Sequence, residues 1–149
     1  MRTEMRLGPI NYSVIEFPGG VVSGDGFRRL LGLVEAHLVQ ILDLEFVSKG
    51  LDGEAAVLAA HDVPSDTATR IDLGQFDGAS SGLLDALDIA EVAEQIAPGS
   101  VAAILVVEDL SLLPVIAAWE SAGAKLVSEG PVVPDDLLAA IDEADDREA

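Results

Sequence analysis

The chain has 149 residues, half of them apolar, no cysteine and a formal net charge of -19. That length and apolar fraction suit one domain with a buried core, and the missing thiols exclude disulfides, thiolate metal sites and cysteine nucleophiles. A surface this acidic repels phosphate backbones and anionic lipid, so neither nucleic acid nor a membrane surface is an expected partner.

Aromatic residues make up only 4% of the chain, so the expected core is aliphatic, built from Val, Leu, Ile and Ala. No segment approaches the roughly 20 apolar residues that a membrane helix requires. The opening MRTEMRLGPINYS lacks the apolar core of a signal peptide. Together these lead to a cytoplasmic expectation.

Residues 11–17 (NYSVIEF) read as a strand that stops at Pro18, Gly19 and Gly20. Ser23 or Asp25 can cap the next helix, where Phe27, Leu30, Leu31, Val34 and Leu38 fall at helical spacing. Residues 39–48 (VQILDLEFVS) form the second strand. Its alternation points Leu42, Leu44 and Phe46 one way, and Ile41, Asp43, Glu45 and Val47 the other. After the turn at 50–53, residues 54–60 can return as a hairpin strand. Residues 61–82 turn polar and rich in Gly and Asp, the most loop-like stretch of the chain.

A helix over 83–96 follows, ended by Pro98 and Gly99. Residues 101–107 (VAAILVV) then run without one polar side chain. Such a strand needs cover on both faces. Glu108 and Asp109, or Ser111, can cap a helix over 112–122, with Pro114 tolerated in its first turn and Gly123 at its end. Residues 124–128 form a short last strand. A final helix starts at Pro134 and frays into an acidic tail at about 142–149.

With about 54–99 set aside as a hairpin-loop-helix insertion, the remainder is βαββαβ. This is an α+β, ferredoxin-like sandwich in one domain over 1–149, with an extra C-terminal helix. In that arrangement the first and third strands are central and the second and fourth lie at the edges. One helix layer then covers only one row of the apolar strand, either Val101, Ala103, Leu105 and Val107, or Ala102, Ile104 and Val106. The bare row predicts an interface, most simply a homo-oligomer formed as a two-fold dimer through sheet faces.

The stretches NYSVIEFPGG, ILDLEFVSKGLDG, IAPGSVAAILVVED and AGAKLV, in this order, resemble a family of small actinobacterial proteins catalogued as domain of unknown function 6325. More distantly the chain is similar to a longer bacterial family with a Gly- and Ala-rich apolar insertion, thought to be membrane-associated. The resemblance covers most of residues 8–138 and implies no activity, cofactor or catalytic residue. Here the corresponding insertion, DVPSDTATRIDLGQFDGASSG, is polar.

Candidate chemistry is sparse. Gly24-Asp25-Gly26 after a strand lacks the third glycine of a dinucleotide loop, and an acidic protein is a poor pyrophosphate host. His37 closes the first helix, where a cation suits the dipole; His61 adjoins Asp62; neither has a metal-type histidine neighbour. Asp43 and Glu45 share a strand face, which Glu16 can join if the register allows. Carboxylates gathered on an apolar face hold a divalent ion or shift each other's pKa, whereas on an edge strand they are solvated guards against aggregation. Ser80 and Ser81 lie in a loop without nucleophile context, and Trp119 reads as core.

Two functions remain. The first is a non-enzymatic, self-associating interaction or regulatory module, with a protein partner possible and no cofactor or metal. The alternative is a small-molecule-binding protein or enzyme of dimeric α+β-barrel type, with a pocket at the sheet face. Tyr12, Glu16, Asp43, Glu45 and His61 would supply that pocket's polar groups.

Overall fold

The structure, a computed structural model, describes residues 6–68, 71–131, 141, 142 and 144. It divides into two compact units, Met1–Pro114 and Val115–Ala149. The first contains strands β1 (Ile10–Phe17), β2 (Val39–Lys49), β3 (Ala55–Leu58) and β4 (Val101–Asp109), with helices α1 (Gly24–Glu35) and α2 (Ala86–Gln95). Two 3-10 turns, Ala60–Asp62 and Leu73–Ala79, lie between β3 and α2. Helix α3 (Leu113–Ser121) leads into the second unit.

The fold is α+β, with one antiparallel sheet in the order β1-β4-β2-β3. Because β1 and β2 each pair antiparallel with β4, they run parallel to one another, with α1 as the crossover between them. The expected central place of the first strand is not observed: β1 lies at an edge among the described residues. The second strand, expected at an edge, is interior, because the hairpin strand β3 pairs along its outer side. Residues 124–128 form no strand. The final helix from Pro134 and the acidic tail fall, apart from residues 141, 142 and 144, outside the described residues.

Local chemistry fixes these elements. Helix α1 begins after Ser23 with no side-chain cap from that residue; Asp66 Oδ1, distant in sequence, accepts from the Gly24 N–H instead at 3.2 Å. It ends in a Schellman motif in which His37, at φ 59°, takes the left-handed place usually given to glycine. There the His37 N–H donates to Val34 O and the Leu38 N–H to Leu33 O, each at 3.0 Å. Helix α2 starts three residues later than its apolar pattern suggests. Asp85 and Asp88 form a reciprocal capping box that sets its first turn.

The simple alternation expected along β2 also fails at one point. A bulge at Leu42 breaks the register with β4 between Ile41 and Asp43. Ile41 therefore packs in the same cluster as Leu44 and Phe46, while Asp43, Glu45 and Val47 keep the opposite face.

Both faces of the apolar strand are filled from within the chain. On one face Val101, Ala103 and Leu105 join Leu44 and Phe46 beneath α1 and the 60–79 segment. On the other, Ala102 and Ile104 join Val47 beneath Val92, Ala93 and Ile96 of the α2 region. The interface expected along Val101, Ala102, Ala103, Ile104, Leu105, Val106 and Val107 is corrected accordingly. Five of the seven are buried in a single chain, and Leu105 and Val107 are partly so. The helix of the insertion supplies the second cover that the sequence pattern left open.

Two further corrections concern the core. The loop-like stretch 61–82 buries Val63, Leu73 and Phe76 against the sheet. The four phenylalanines also gather in this cluster. Phe27 meets Phe46 at 5.7 Å and Phe76 at 5.5 Å between ring centroids, and Phe17 packs against the same cluster. In the second unit Gly123, at φ 97°, ends α3, and Trp119 is 61% exposed where core was expected. Among the described residues no helix is long and apolar enough to cross a membrane.

Candidate functional site

The register brings three of the candidate residues to one face of the sheet. Glu16 stands opposite Ala102, which stands opposite Val47; Ile104 lies opposite Glu45, and Val106 opposite Asp43. Glu16, Asp43 and Glu45 therefore share the face that α2 covers, with β4 separating Glu16 from the other two. The alternative of a solvated edge face is excluded. Asp43 is 0% and Glu45 6% exposed.

Each carboxylate is occupied by the segment that carries α2. Asp43 accepts the Ser81 N–H at 3.0 Å and the Leu84 N–H at 2.9 Å. Ser80 Oγ donates to Glu45, 2.7 Å from Oε1 and 3.0 Å from Oε2. Glu16 accepts from the Ala97 N–H and Ser100 Oγ, both at 2.8 Å. From the same face Lys49 Nζ donates to the carbonyls of Ala93 and Ile96 at 3.0 and 3.2 Å, neutralising the negative end of α2. The polar groups on this face fasten one helix at its entry and its exit. Asp43 and Glu16 answer backbone donors, and Lys49 answers backbone acceptors.

The electrostatics of Asp43 and Glu45 diverge. Burial pushes Asp43 upward, but the donated hydrogen bonds, led by Ser81 and Leu84, outweigh it and hold the carboxyl below its ordinary range. Burial raises Glu45, and the adjacent Asp43 raises it further against the opposing Ser80 hydroxyl. Of the two neighbouring carboxyls, Asp43 is the one whose ionised form this environment favours. Glu16 is held low by the Ala97 N–H and Ser100.

His61 stands apart from this group, on the turn after β3. Its Nδ1 lies 2.9 Å from Asp77 Oδ2, its backbone N–H donates to Asp77 Oδ1 at 3.0 Å, and its Nε2 lies 3.4 Å from Asp62 Oδ1. The hydrogen bond to Asp77, with the charges of Asp62 and Asp77, raises its pKa. One cavity of about 450 Å³ joins the two regions: Glu45, Ser80, His61 and Asp77 line it over the apolar Leu44 and Phe76. It opens where β3 parts from β2.

Tyr12 lies elsewhere. It is 74% exposed on β1 and lines a separate groove of about 330 Å³ between that strand and α2. Two of the five expected pocket residues, Glu45 and His61, therefore share a cavity, and Asp43, Glu16 and Tyr12 do not line it. Ser80, Asp77 and Lys49 were missed as participants. Nothing in their local sequence marks them, since each acts on a residue at least 16 positions away. Glu108, expected as a helix cap, is buried instead and accepts the Gly8 N–H at 2.7 Å. A Cβ at Gly8 would overlap the Asp109 carbonyl, so only glycine brings the chain this close. Asp109 accepts from the N–H and hydroxyl of Ser111, in the turn that precedes α3.

Among the described residues no three His, Asp or Glu side chains are grouped to hold a metal ion. Compared with family models, with curated proteins and with solved structures, the chain matches none.

Proposed function

We propose that the chain is a non-enzymatic interaction module that associates with a second copy of itself through the outer edge of β1, which no described strand covers. One observation carries this reading. β1 is an eight-residue edge strand exposing Ile10, Tyr12 and Ile15 by 48%, 74% and 48%. Exposed edges are normally blunted by shortness, proline, lysine or a bulge. The other edge, β3, has only four residues. β1 has none of these protections: its register with β4 is unbroken, and its one charge, Glu16, is already tied to Ala97 and Ser100.

The fold supports the same reading. We take the β1-α1-β2 crossover around β4 as a ferredoxin-like core in which, among the described residues, no fourth strand stands beside β1. We also propose membership of domain of unknown function family 6325, on the resemblance of the four stretches, and a cytoplasmic setting away from nucleic acid and membranes, on the charge of -19.

A symmetric antiparallel pairing centred on Ser13 sets Tyr12 of each copy beside Val14 of the other. Sedimentation at micromolar concentration tests it. The expected result is a dimer, converted to monomer by Ser13→Lys, which puts like charges opposite each other. A monomeric parent at about 100 μM, weaker than useful self-association, overturns the proposal.

A second reading has its own observation, the cavity shared by Glu45, Ser80, His61 and Asp77. A small polar ligand held there would place its hydrogen-bonding groups on Glu45 and Ser80. Its apolar part would lie on Leu44 and Phe76. A ligand retained through purification of the parent and absent from Ser80→Ala would favour this reading over the first.

A further inference from the structure

On the face fastened by Glu16, Asp43 and Lys49, α2 covers only part of the sheet. Its apolar residues Val92, Ala93 and Ile96 pack over Val47 of β2 and Ala102 and Ile104 of β4. β1 lies one strand beyond β4. Strands are spaced at about 4.8 Å and packed helices at about 8–10 Å, so the ground beside α2 and above β1 is one helix wide. The groove found there has a floor of Tyr12, Val14 and Ile104.

The wall of that groove is chemically one-sided. α2 turns a second stripe, distinct from its buried one, toward the groove, with Asp88 and Glu91 at i and i+3 and Val92 below them. Residues so spaced sit about 5–6 Å apart on one helix face, a match for two lysines or arginines at the same spacing on a neighbouring helix. We propose that this groove binds a basic amphipathic helix of a partner protein, its apolar row on Tyr12 and Val14 and its cationic flank against Asp88 and Glu91. This rests on the reading of the chain as a module that works by binding other chains, but it does not need β1 to pair with a second copy.

Charge decides among the possible occupants. The chain's own residues 135–148 carry seven carboxylates against one arginine, and would meet Asp88 and Glu91 with like charge. Among the described residues no helix of a second copy offers two basic side chains one turn apart: α1 has only the adjacent Arg28 and Arg29, and α2 and α3 have none. A small molecule would be poorly enclosed, because the Tyr12 side is open to solvent. A cationic helix gains from both the floor and the wall.

The test uses the full chain and a fluorescent peptide of about 14 leucines and lysines placed at helical spacing, read by anisotropy at about 0.15 M salt. Its control is the same composition scrambled out of helical period. The ordered peptide is expected to bind at least about tenfold tighter than the scrambled one, with Tyr12→Ser or Glu91→Lys each weakening it by about tenfold. Glu35→Lys makes the same charge change on α1, which covers the opposite face of the sheet, and should shift binding by less than about threefold. Equal binding of both peptides, equal loss in Glu35→Lys and Glu91→Lys, or no binding of the ordered peptide overturns the proposal. A monomeric chain that still binds the ordered peptide removes only the β1 pairing. A dimer that does not bind it removes only the groove.

Discussion

The two faces of one sheet are covered by opposite means. Beneath α1 the cover is almost wholly apolar: Phe27, Phe46 and Phe76 interlock, and Val22, Val63 and Leu73 close around them. Beneath α2 the apolar patch is smaller; Glu16, Asp43 and Lys49 bind the entering and leaving backbone, and Glu45 holds the Ser80 hydroxyl. The first arrangement draws on water exclusion, which is non-directional and insensitive to pH. The second draws on directed hydrogen bonds to charged groups, which position a helix and respond to protonation. The same strand, β4, serves both, so the lack of polar residues over 101–107 says nothing about which kind of cover lies on which side.

The largest expected effect is on the apolar face. Phe46→Ala removes a side chain that is 1% exposed and touches both Phe27 and the segment beyond β3. A loss of about 3–5 kcal/mol in chemical denaturation is expected. A loss under about 1 kcal/mol would mean that the aromatic cluster is not the centre of this face.

Asp43→Ala comes next and tests the polar face. It leaves the Ser81 and Leu84 N–H groups without their acceptor in a part-buried site, at a cost of about 1–3 kcal/mol. The effect has a defined pH window. A carboxyl held below its ordinary value of 3.8 contributes stability above that value and loses it as pH falls through the lower folded pKa. The difference between parent and Asp43→Ala should therefore shrink below pH 3.8. A difference that stays constant down to pH 2 would detach it from the ionised form.

His37→Gly probes the helix end on the apolar side, where the cost is backbone strain rather than charge. Glycine meets no Cβ penalty at φ 59°, and a gain of about 0.5–1 kcal/mol is expected. A loss of stability would show that the imidazole contributes more than its backbone conformation costs.

The smallest effect sharpens the contrast by sign. Glu45 is raised, so its contribution is complete below the ordinary value of 4.5 and is lost as pH rises through the higher folded pKa. Glu45→Gln, which keeps an acceptor for Ser80, should match the parent in acid and exceed it slightly at neutral pH. Denaturation midpoints at pH 4 and pH 7.5 give the comparison. A variant weaker than the parent at pH 7.5 alone would contradict the upward direction of the Glu45 pKa.

How much of this was legible in the sequence depended on the range of the interaction. The strands at Ile10–Phe17, Val39–Lys49 and Val101–Asp109 and the helices α1, α2 and α3 follow from apolar spacing and punctuation by Gly, Pro and Asp, which act within a few residues. The requirement that Val101–Val107 be covered on both faces was equally plain, because no polar side chain interrupts it. What covers it was not. The buried role of 61–82 rests on Val63, Leu73 and Phe76, three apolar residues too widely spaced among polar ones to show any period.

The sequence by itself determined an α+β chain, its local elements, its acidity and the pairing of Asp43 with Glu45 on one strand face, since each is a matter of composition or of neighbours in the chain. Tertiary structure alone decided that these carboxylates are buried fasteners for α2, that β1 is left at the edge, and that the bulge at Leu42 turns Ile41 to the other face. Each of those outcomes joins residues tens of positions apart, as Ser81 joins Asp43 and Ala97 joins Glu16. Such contacts are chosen by the packing of whole elements, and local pattern carries no record of them.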